Sequence, residues 1–561
     1  MGVDFGVRRA LARRATSLVA LAAMIAAAGP TAAQTALPTT QPGATPGAAR
    51  PSTPAANRGA AAAASPDNDP TVIRGLEIHA GIGLDEIFTD NARGVASGGQ
   101  ITVLGNNAVT TTPQSKTADL VSRVTPMLSI MDRTARLQAG LVYQPSYQKY
   151  AFATDLDRFD NALTATGSAE LWREHLNLDA SASISREIIN TQGAVTANQR
   201  AINNNQADLQ SYQFTPTYKQ AFGNFALGRL QYQFGSTSTG AIAPATRNGI
   251  AAELKGGANF ARLEWTALLE ASRTSQGTTP NAGDIVNNVA TPTTTNATSR
   301  RTAQFDSIYA WNHTVSLLGG FGYETVQNGS LSKNPKGPIG DIGIRLTGAR
   351  LEFTLKINSR YDTTFVSAEA KYELGPQLQL LSSYNESVTT TQEQILGDLS
   401  QLRLTPNGTF QNSQTGQPFT PINSPFGINS GFGNTAFRDR TGRLTLTGIF
   451  GRNTYTMSAL DESRTTETTN FNETTIALAA GLARELTPMM RYNLSLGYTT
   501  TEDRSPVQRT DDTYNLSTGL NFLLNNGLTA SATYGLVYRR STTPGQDVRE
   551  NSFILGIRKS I

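Results

Sequence analysis

Few residues of this sequence are suited to catalysis. The 561 residues include three histidines, His79, His175 and His313, and no cysteine. A serine hydrolase with a histidine base would have to use one of these three, but His175 and His313 lie in predicted turns, and His79 forms an ordinary strand pair with Glu77. The lack of cysteine excludes disulfides, thiolate nucleophiles and cysteine-based zinc sites. We therefore expect no enzymatic activity and no cofactor.

An acidic cluster is the one pattern that resembles a metal site. Asp155, Asp157 and Asp160 offer carboxylate oxygens at close spacing, and oxygen ligands are what Ca²⁺ prefers. The same spacing is typical of a solvated loop whose aspartates cap turns, and we favour that interpretation. No glycine-rich loop precedes a helix in the way that phosphate binding requires. The sequence therefore predicts no metal site and no nucleotide site.

The composition favours a protein whose strands have one face in contact with water. The sequence is 38% hydrophobic and 16% charged, with 50 glycines, which is poor for a compact soluble core. Its 47 basic and 43 acidic residues become 43 and 42 once the four arginines and one aspartate of the first 14 residues are removed. A nearly neutral mature chain has no clustered basic face, and nucleic acid is therefore not expected as a partner.

The N-terminus is typical of a secretory signal peptide. Arginines precede an apolar run over 18–28, and small residues follow up to Ala33. The run is too short for a spanning helix, which needs about 20 apolar residues. We expect a signal peptide over 1–33, a disordered periplasmic leader rich in Ala, Pro and Thr over 34–70, and an outer-membrane barrel over 71–561.

Alternation of apolar and polar residues recurs from residue 75 to the C-terminus. In the stretch 176–185, one face carries Leu, Leu, Ala, Ala and Ile, and the other carries Asn, Asp and Ser. Such a strand separates a lipid-facing surface from a wet one. The polar positions of several strands give the candidate lumen-facing residues, which are Arg136, Gln138, Asp179, Arg229, Gln231, Glu352 and Lys356.

Turns and loops alternate along the chain in a second regularity. Short turns, such as 172–175 and 348–350, alternate with long polar stretches, such as 190–206 and 274–299. Outer-membrane barrels have short periplasmic turns and long external loops. The pattern predicts an all-β fold, a transmembrane antiparallel up-and-down β-barrel of about 22 strands (an even number from 20 to 24) with both ends periplasmic. The repeat of a soluble propeller or β-helix is not evident.

Aromatic residues and the C-terminus carry weaker signals. Tyrosines near strand ends, such as Tyr143, Tyr150 and Tyr232, are consistent either with interfacial girdles or with a plain preference of aromatics for strands. One face of the last predicted strand carries Phe553, Leu555, Ile557 and Ile561. It resembles the C-terminal signal read by the barrel-assembly machinery, with Ile561 in place of the usual terminal Phe.

The longest predicted loop, 391–440, is expected to fold inward and restrict the lumen. Its length exceeds the roughly 12 to 15 residues usual for a loop without structure, and a short helix is expected over 396–404. Its aromatic side chains would gain by packing on the barrel wall. The candidate constriction residues are Phe410, Phe426, Phe432 and Phe437. A mobile external loop is the alternative, because Asn and Thr richness also suits disorder.

Several short motifs resemble a known family. They are the stretches 85–91, 118–121 with Pro126, 150–151, 155–158, 167–171, 184–186 with 193–195, and 436–438 before 451–453. Together they resemble the outer-membrane β-barrel proteins associated with PEP-CTERM/exosortase and exopolysaccharide loci. The resemblance covers most of 75–561 and implies an outer-membrane location with a link to surface polysaccharide. It implies no specific activity.

The functional hypothesis that follows is a passive outer-membrane channel or conduit serving exopolysaccharide export or another surface-glycan process. A general porin for small solutes is the first alternative, and a non-conducting structural or surface-display barrel is the second. The expected partners are outer-membrane lipid, the barrel-assembly machinery and polysaccharide.

Overall fold

The structure is a computed structural model. It describes residues 75–98, 100–105, 108–113, 115–188, 206–239, 242–257, 259–276, 285–286, 289–290, 297–327, 336–360, 363–405, 408–413, 419, 437–465, 472–503, 508–524 and 527–560. The expected signal peptide and leader lie outside the described residues.

Twenty-two strands form one closed antiparallel sheet, in which each strand pairs with the next along the chain and the last pairs with the first. The strands are β1 (Glu77–Thr89), β2 (Asp119–Arg133), β3 (Leu137–Tyr143 and Ser146–Tyr150), β4 (Arg158–Asp160 and Leu163–Trp172), β5 (Leu176–Ile188), β6 (Gln206–Phe222), β7 (Ala226–Thr239), β8 (Ile242–Gly256), β9 (Leu263–Gln276), β10 (Ala297–Ala310), β11 (Val315–Gln327), β12 (Lys336–Thr347), β13 (Leu351–Arg360), β14 (Thr363–Gly375), β15 (Leu378–Thr389), β16 (Phe437–Phe450), β17 (Asn453–Thr465), β18 (Asn472–Thr487), β19 (Met490–Asp503), β20 (Arg509–Leu523), β21 (Leu528–Ser541) and β22 (Val548–Ser560). The prediction of an up-and-down barrel of about 22 strands is confirmed.

The seam between β1 and β22 closes the barrel. Its register runs from Gly81 opposite Ser560 to Thr89 opposite Ser552. Asp90 stabilises the seam just beyond Thr89. Its carboxylate accepts hydrogen bonds from the backbone N–H of Asn551 at 2.8 Å and from the Asn551 side chain at 2.7 Å. A closed ladder leaves no unpaired strand edge in contact with lipid.

All connections at one end of the barrel are short. They range from two residues between β14 and β15 to six residues between β8 and β9. The other end carries every long connection, including the stretches 90–118, 277–296 and 390–436. By the rule for outer-membrane barrels the short turns are periplasmic, and we call the two ends the turn end and the loop end. The predicted turns at 172–175 and 348–350 lie at the turn end.

The two faces of the sheet differ in chemistry as the alternation predicts. Large apolar side chains such as Leu269, Phe321 and Ile342 lie on the outer face, exposed by 62%, 67% and 68%. Inner-face side chains such as Ser183 and Thr237 are small, polar and buried. A closed barrel with an apolar outside and a polar inside is the architecture of an outer-membrane protein, and this is where the protein resides. Among the described residues, no helix is long and apolar enough to cross a bilayer.

Tyrosines on the outer face donate hydrogen bonds near the loop end. The phenol of Tyr232 donates to Asn248 at 2.8 Å, that of Tyr498 to Asp512 at 2.9 Å, and that of Tyr534 to Asn551 at 2.8 Å. Such a side chain keeps its ring in the apolar layer and its hydroxyl in the polar one. Tyr150 does not belong to this group, since it is 1% exposed and packs in an interior cluster with Val121.

Arginine substitutions on β5 test the assignment of the two faces. Arg at Ala180, on the outer face, should sharply reduce the folded fraction, because a lipid-facing Arg near the midplane costs about 2 to 4 kcal/mol. Arg at Asp179, the neighbouring inner-face position, should be tolerated far better. The measurement is the proportion of heat-modifiable, folded protein on gels after refolding into detergent. Equal losses for Ala180→Arg and Asp179→Arg would contradict the assignment.

Low pH should loosen the seam at Asp90. Burial alone would raise the pKa of this carboxyl, but the hydrogen bonds from Asn551 and the charge of Lys116 outweigh it and hold the pKa below its ordinary value. The stabilisation is therefore present above the unfolded-state pKa and is lost as the pH falls through the lowered folded-state value. Exchange of the Asn551 amide, corrected for its intrinsic rate, should accelerate as the pH falls below the ordinary carboxyl pKa of 3.8. The Asp90→Asn variant, which cannot titrate, should lack this pH dependence.

Candidate functional site

The chain after β15 turns into the barrel and forms a helix. Helix α1 (Thr391–Ser400) begins at a capping box, in which the Thr390 side chain accepts from the Glu393 backbone and the Glu393 side chain accepts from the backbone of Thr390. A short hairpin follows, pairing Leu402–Leu404 with Phe410–Asn412. We call residues 391–405 and 408–412 the inner segment.

Glycines of the wall receive leucines of the inner segment. Leu396 of α1 is 4% exposed and lies over Gly235 of β7, where a Cβ would come within 2.9 Å of a leucine methyl. Leu404 lies over Gly140 of β3 at the same close spacing. Helix α1 thus leaves β15 and reaches β5, β6 and β7 on another part of the wall. The inner segment crosses the lumen.

The hairpin reaches the turn end of the lumen. The Arg133 guanidinium, on the last residue of β2, donates to the Thr405 carbonyl at 3.1 Å. Gly408 takes a positive φ of 77° close to the Met131 side chain. A segment that starts at the loop end therefore extends to the opposite end of the barrel, as the sequence predicts in outline.

The structure describes two of the four candidate constriction residues. Phe410 is partly buried against a small core that includes Leu402. Phe437 is the first residue of β16 and is 2% exposed. Phe426 and Phe432 lie outside the described residues. The helix begins five residues earlier than expected, because the capping box at Thr390 starts it there. That these residues restrict conduction stays a prediction.

A buried ionic group attaches the start of α1 to the wall. Arg300 donates to Glu324 at 2.9 Å and to the Val388 carbonyl at 2.7 Å, and lies 3.7 Å from the Glu393 carboxylate. Arg360 lies 3.6 Å from the other oxygen of Glu324. Charges taken out of water need such pairing. One arginine therefore joins the barrel wall to the first turn of the helix.

A second ionic group holds α1 from the other side. Arg464 of β17 is 1% exposed and donates to Glu462 at 3.0 Å and to the Gln394 side chain at 2.8 Å. The Gln394 amide donates in turn to Asp439 at 3.0 Å. The Arg464 guanidinium also lies 4.6 Å above the centre of the Phe437 ring. The helix is thus held by specific polar contacts as well as by its leucines.

A polar cavity of about 280 Å³ opens on the lumen side of the wall, beside Arg300, which contacts the start of α1. Strands β10 and β12 to β15 supply its lining, near the loop end. Its cations are Arg300, Lys356 and Arg360, its amides Gln304, Asn358 and Asn385, and its carboxylates Asp341 and Glu386. The ring of Phe365 also lines it, and the Arg438 guanidinium stacks 4.6 Å over that ring.

Asp341 gives this cavity an unsatisfied acceptor. Its side chain is 3% exposed, and one oxygen lies 3.8 Å from the Lys356 ammonium. The other oxygen, Oδ1, accepts no hydrogen bond among the described residues. It lies over Gly320 beside an oxygen of the Asp306 carboxylate. A buried acceptor without a donor is unfavourable, and a ligand bearing a hydroxyl or N–H group would satisfy it.

Of the seven candidate lumen residues, Lys356 lies in this cavity. Arg136 is exposed in the turn before β3. The other five are distributed over the inner-face positions of four strands, and a role in the lumen stays a prediction for them. They are Gln138 of β3, Asp179 of β5, Arg229 and Gln231 of β7, and Glu352 of β13.

Sequence reasoning missed most of the residues that line the cavity. Arg360 shares the face of Lys356, four residues away on β13, and Arg300 shares that of Gln304 on β10. The two-residue alternation along these strands therefore indicates that both arginines point inward. It could not indicate that β10 and β13 converge with α1.

The aspartates of the acidic cluster each have their own partner. Asp155 binds Arg93 at 2.6 Å, and Asp157 binds Lys149 at 2.5 Å. These hydrogen bonds hold the pKa of both carboxyls below its ordinary range. Asp160 accepts from Gln148 at 2.7 Å. Among the described residues, no group of three acidic, His or Cys side chains is arranged to hold a metal ion.

His175 has a structural environment. The ring of His175 lies 4.8 Å from that of Trp172 and stacks on Tyr218 at 6.0 Å. Its Nδ1 atom lies 3.0 Å from the Lys219 carbonyl. His79 lies 3.8 Å from Glu77. These contacts anchor strands at the turn end and place neither ring near the cavity.

Solved structures of outer-membrane barrels resemble this chain in fold. The FrpB iron transporter from Neisseria meningitidis has 10% identity and a TM-score of 0.48, with 87% of this chain and 83% of that chain covered. The siderophore receptor PirA from Acinetobacter baumannii has 7% identity and a TM-score of 0.45, covering 87% and 81%. A variant of the ferric enterobactin receptor PfeA from Pseudomonas aeruginosa has 10% identity and a TM-score of 0.41, covering 87% and 81%. No family model and no curated protein matches the chain.

The predicted passive conduit for exopolysaccharide is wrong, and so is the porin alternative. The matched structures are an iron transporter, a siderophore receptor and a ferric enterobactin receptor. In addition, the inner segment crosses the lumen where a conduit for a polymer needs a wide opening. No comparison bears on the resemblance to the PEP-CTERM-associated family, which stays a prediction.

Packing of Leu396 on Gly235 should hold the inner segment in place. Replacing Gly235 by Leu should displace α1, because the added side chain needs the space that Leu396 occupies. We expect faster proteolysis of the inner segment and a conductance at least several-fold higher in planar bilayers. The matched control is Gly337→Leu, an inner-face glycine with nothing within 4 Å of its Cβ position. Unchanged proteolysis and conductance in a folded Gly235→Leu protein would show that this contact does not hold the helix.

Proposed function

We propose that the protein is a ligand-specific outer-membrane transporter for a compact polar ligand rich in oxygen atoms. The observation that carries the proposal is the cavity in which Arg300, Lys356 and Arg360 converge beside the inner segment. Specific ligand sites combine an enclosed volume with a few convergent polar groups. No enzymatic role is proposed, and the matched structures are likewise a transporter and receptors.

Charge balance in the cavity indicates the kind of ligand. Glu324 offsets Arg300 and Arg360, and Asp341 lies near Lys356. A site neutralised in this way selects a ligand by the orientation of its donors and acceptors rather than by net charge. Arg360 lies near Glu324 and donates to the Gln304 side chain, and its planar group carries further N–H donors, while Asp341 offers an acceptor. A ligand with several hydroxyl, carbonyl or carboxylate oxygens, and with at least one donor, complements these groups.

The size of the cavity limits the bound part of the ligand. Small-molecule sites usually measure roughly 300 to 1,000 Å³, and this cavity of about 280 Å³ is near the lower bound. It therefore accommodates a compact molecule or one end of a larger one. Iron chelates such as ferric enterobactin, for which one matched receptor is named, are one oxygen-rich class. They serve here as test ligands.

Arg300 connects binding to the inner segment. It lines the cavity and also contacts the Val388 carbonyl and the Glu393 carboxylate at the start of α1. A ligand oxygen that takes up a donor of Arg300 competes with Glu393 for it. Occupation of the cavity would thus weaken one attachment of the helix, and this supports passage that depends on the ligand.

Equilibrium dialysis of the detergent-solubilised protein tests the proposal. The probes are ferric citrate, citrate and, as a bulky neutral polymer, maltoheptaose. We expect one of the two compact probes to bind more tightly than maltoheptaose. Arg360→Gln should weaken that binding about tenfold, since a hydrogen bond to a charged group contributes about 1.5 to 3 kcal/mol.

The matched control is Arg229→Gln, an inner-face arginine of β7 outside the cavity. Its affinity should equal that of the unmodified protein. Equal losses in the two variants would place the binding elsewhere, and preference for the polymer would overturn the proposed ligand class.

A further inference from the structure

Three cations lie in a row on the outer face of the barrel near the loop end. They are Arg273 of β9, Arg301 of β10 and Lys336 of β12, and all three are exposed. Arg301 lies opposite Thr325 of β11, which in turn lies opposite Lys336. Arg273 lies opposite Ser299, two residues from Arg301. Because adjacent strands are about 4.8 Å apart, the row spans four strands within about 15 Å. We call these three residues the outer cation row.

The outer cation row borders the apolar belt. Tyr323, two residues from Thr325 on the same face of β11, is 51% exposed, and Phe321 beyond it is 67% exposed. The Phe321 ring lies 5.4 Å from that of Phe305 on β10. Two residues of a strand span about 7 Å. The cations therefore lie at the depth where the acyl layer ends and lipid headgroups begin.

No described carboxylate neutralises the outer cation row. The outer-face positions of β9 to β12 carry apolar, Ser, Thr, Gly or Gln side chains besides the three cations. Two other arginines of the outer face near the loop end have acidic neighbours. Arg440 lies 3.6 Å from Glu386, and Arg540 lies directly opposite Asp512. Within the described residues, this sector of the rim keeps its positive charge.

We propose that the outer cation row binds the phosphate groups of a lipid headgroup in the outer leaflet. Guanidinium groups bind phosphate with two parallel N–H donors, and an ammonium adds a compact positive charge. Because the row lies at the edge of the apolar belt, its position favours a lipid over a soluble anion. A phosphate held there leaves the attached acyl chains against Phe321 and Leu269, so that apolar contact adds to the charge attraction. The inference is independent of the ligand proposed for the lumen.

Native mass spectrometry of the full-length protein in neutral detergent tests this site. The probes are diphosphorylated lipid A, the same glycolipid after removal of both phosphates, and inorganic phosphate as a competitor. The test variant combines Arg273→Gln, Arg301→Gln and Lys336→Gln. The matched control is Arg440→Gln, which removes an outer-face arginine that is already paired with Glu386. Heat-modifiable migration on gels confirms that both variants fold.

We expect the unmodified protein and Arg440→Gln to retain diphosphorylated lipid A equally. The triple variant should bind it at least tenfold more weakly, and the dephosphorylated glycolipid should bind all three proteins weakly. Retention by the triple variant at the unmodified level would overturn the proposal, as would equal losses in the triple variant and Arg440→Gln. Complete displacement of lipid A by inorganic phosphate at a comparable concentration would assign the site to a soluble anion and also overturn it.

Discussion

The fold depends on the rule that backbone hydrogen bonds must be satisfied where water is absent. A sheet that crosses a bilayer can meet it only by pairing its last strand with its first, and here β22 pairs with β1 in continuous register. Closure also creates the two surfaces of the molecule. Once the ladder is complete, alternate side chains have to face either lipid or the lumen, and the chemistry of each face follows from its solvent.

Closure with 22 strands leaves a lumen too wide for wall side chains to fill. In the described residues it is the inner segment that crosses this space, held by leucines over wall glycines and by ionic groups around Arg300 and Arg464. These attachments differ in kind. The leucine contacts are apolar and insensitive to solutes, whereas those of Arg300 adjoin a cavity that a polar ligand can enter. The barrel thus combines a permanent closure of the sheet with one contact, between Arg300 and the start of α1, for which a ligand can compete.

Charge has a different role on each face. In the lumen, arginines and carboxylates are paired around the cavity, so that orientation of donors and acceptors rather than net charge determines which molecule fits. On the outer face near the loop end, Arg440 and Arg540 have acidic neighbours, whereas no described carboxylate neutralises the outer cation row. A positive row beside an apolar belt complements an anionic amphiphile. The same residue type therefore supports a selective site inside and a lipid contact outside.

The sequence by itself determined the local geometry of this protein. The two-residue period assigned faces on strands such as β5, and the alternation of turns with long stretches indicated 22 strands, because each of these signals is contained within one strand or one connection. The length and phenylalanines of 391–440 indicated an inward fold, but the start of α1 at the Thr390 capping box was not recognised. Only the tertiary structure decided which wall receives that helix, since the partners Leu396 and Gly235 are far apart in the chain and neither signals the other. It also decided the candidate site. Arg300 stands on β10, whereas Lys356 and Arg360 stand on β13, and only the closed sheet brings the two strands to one cavity.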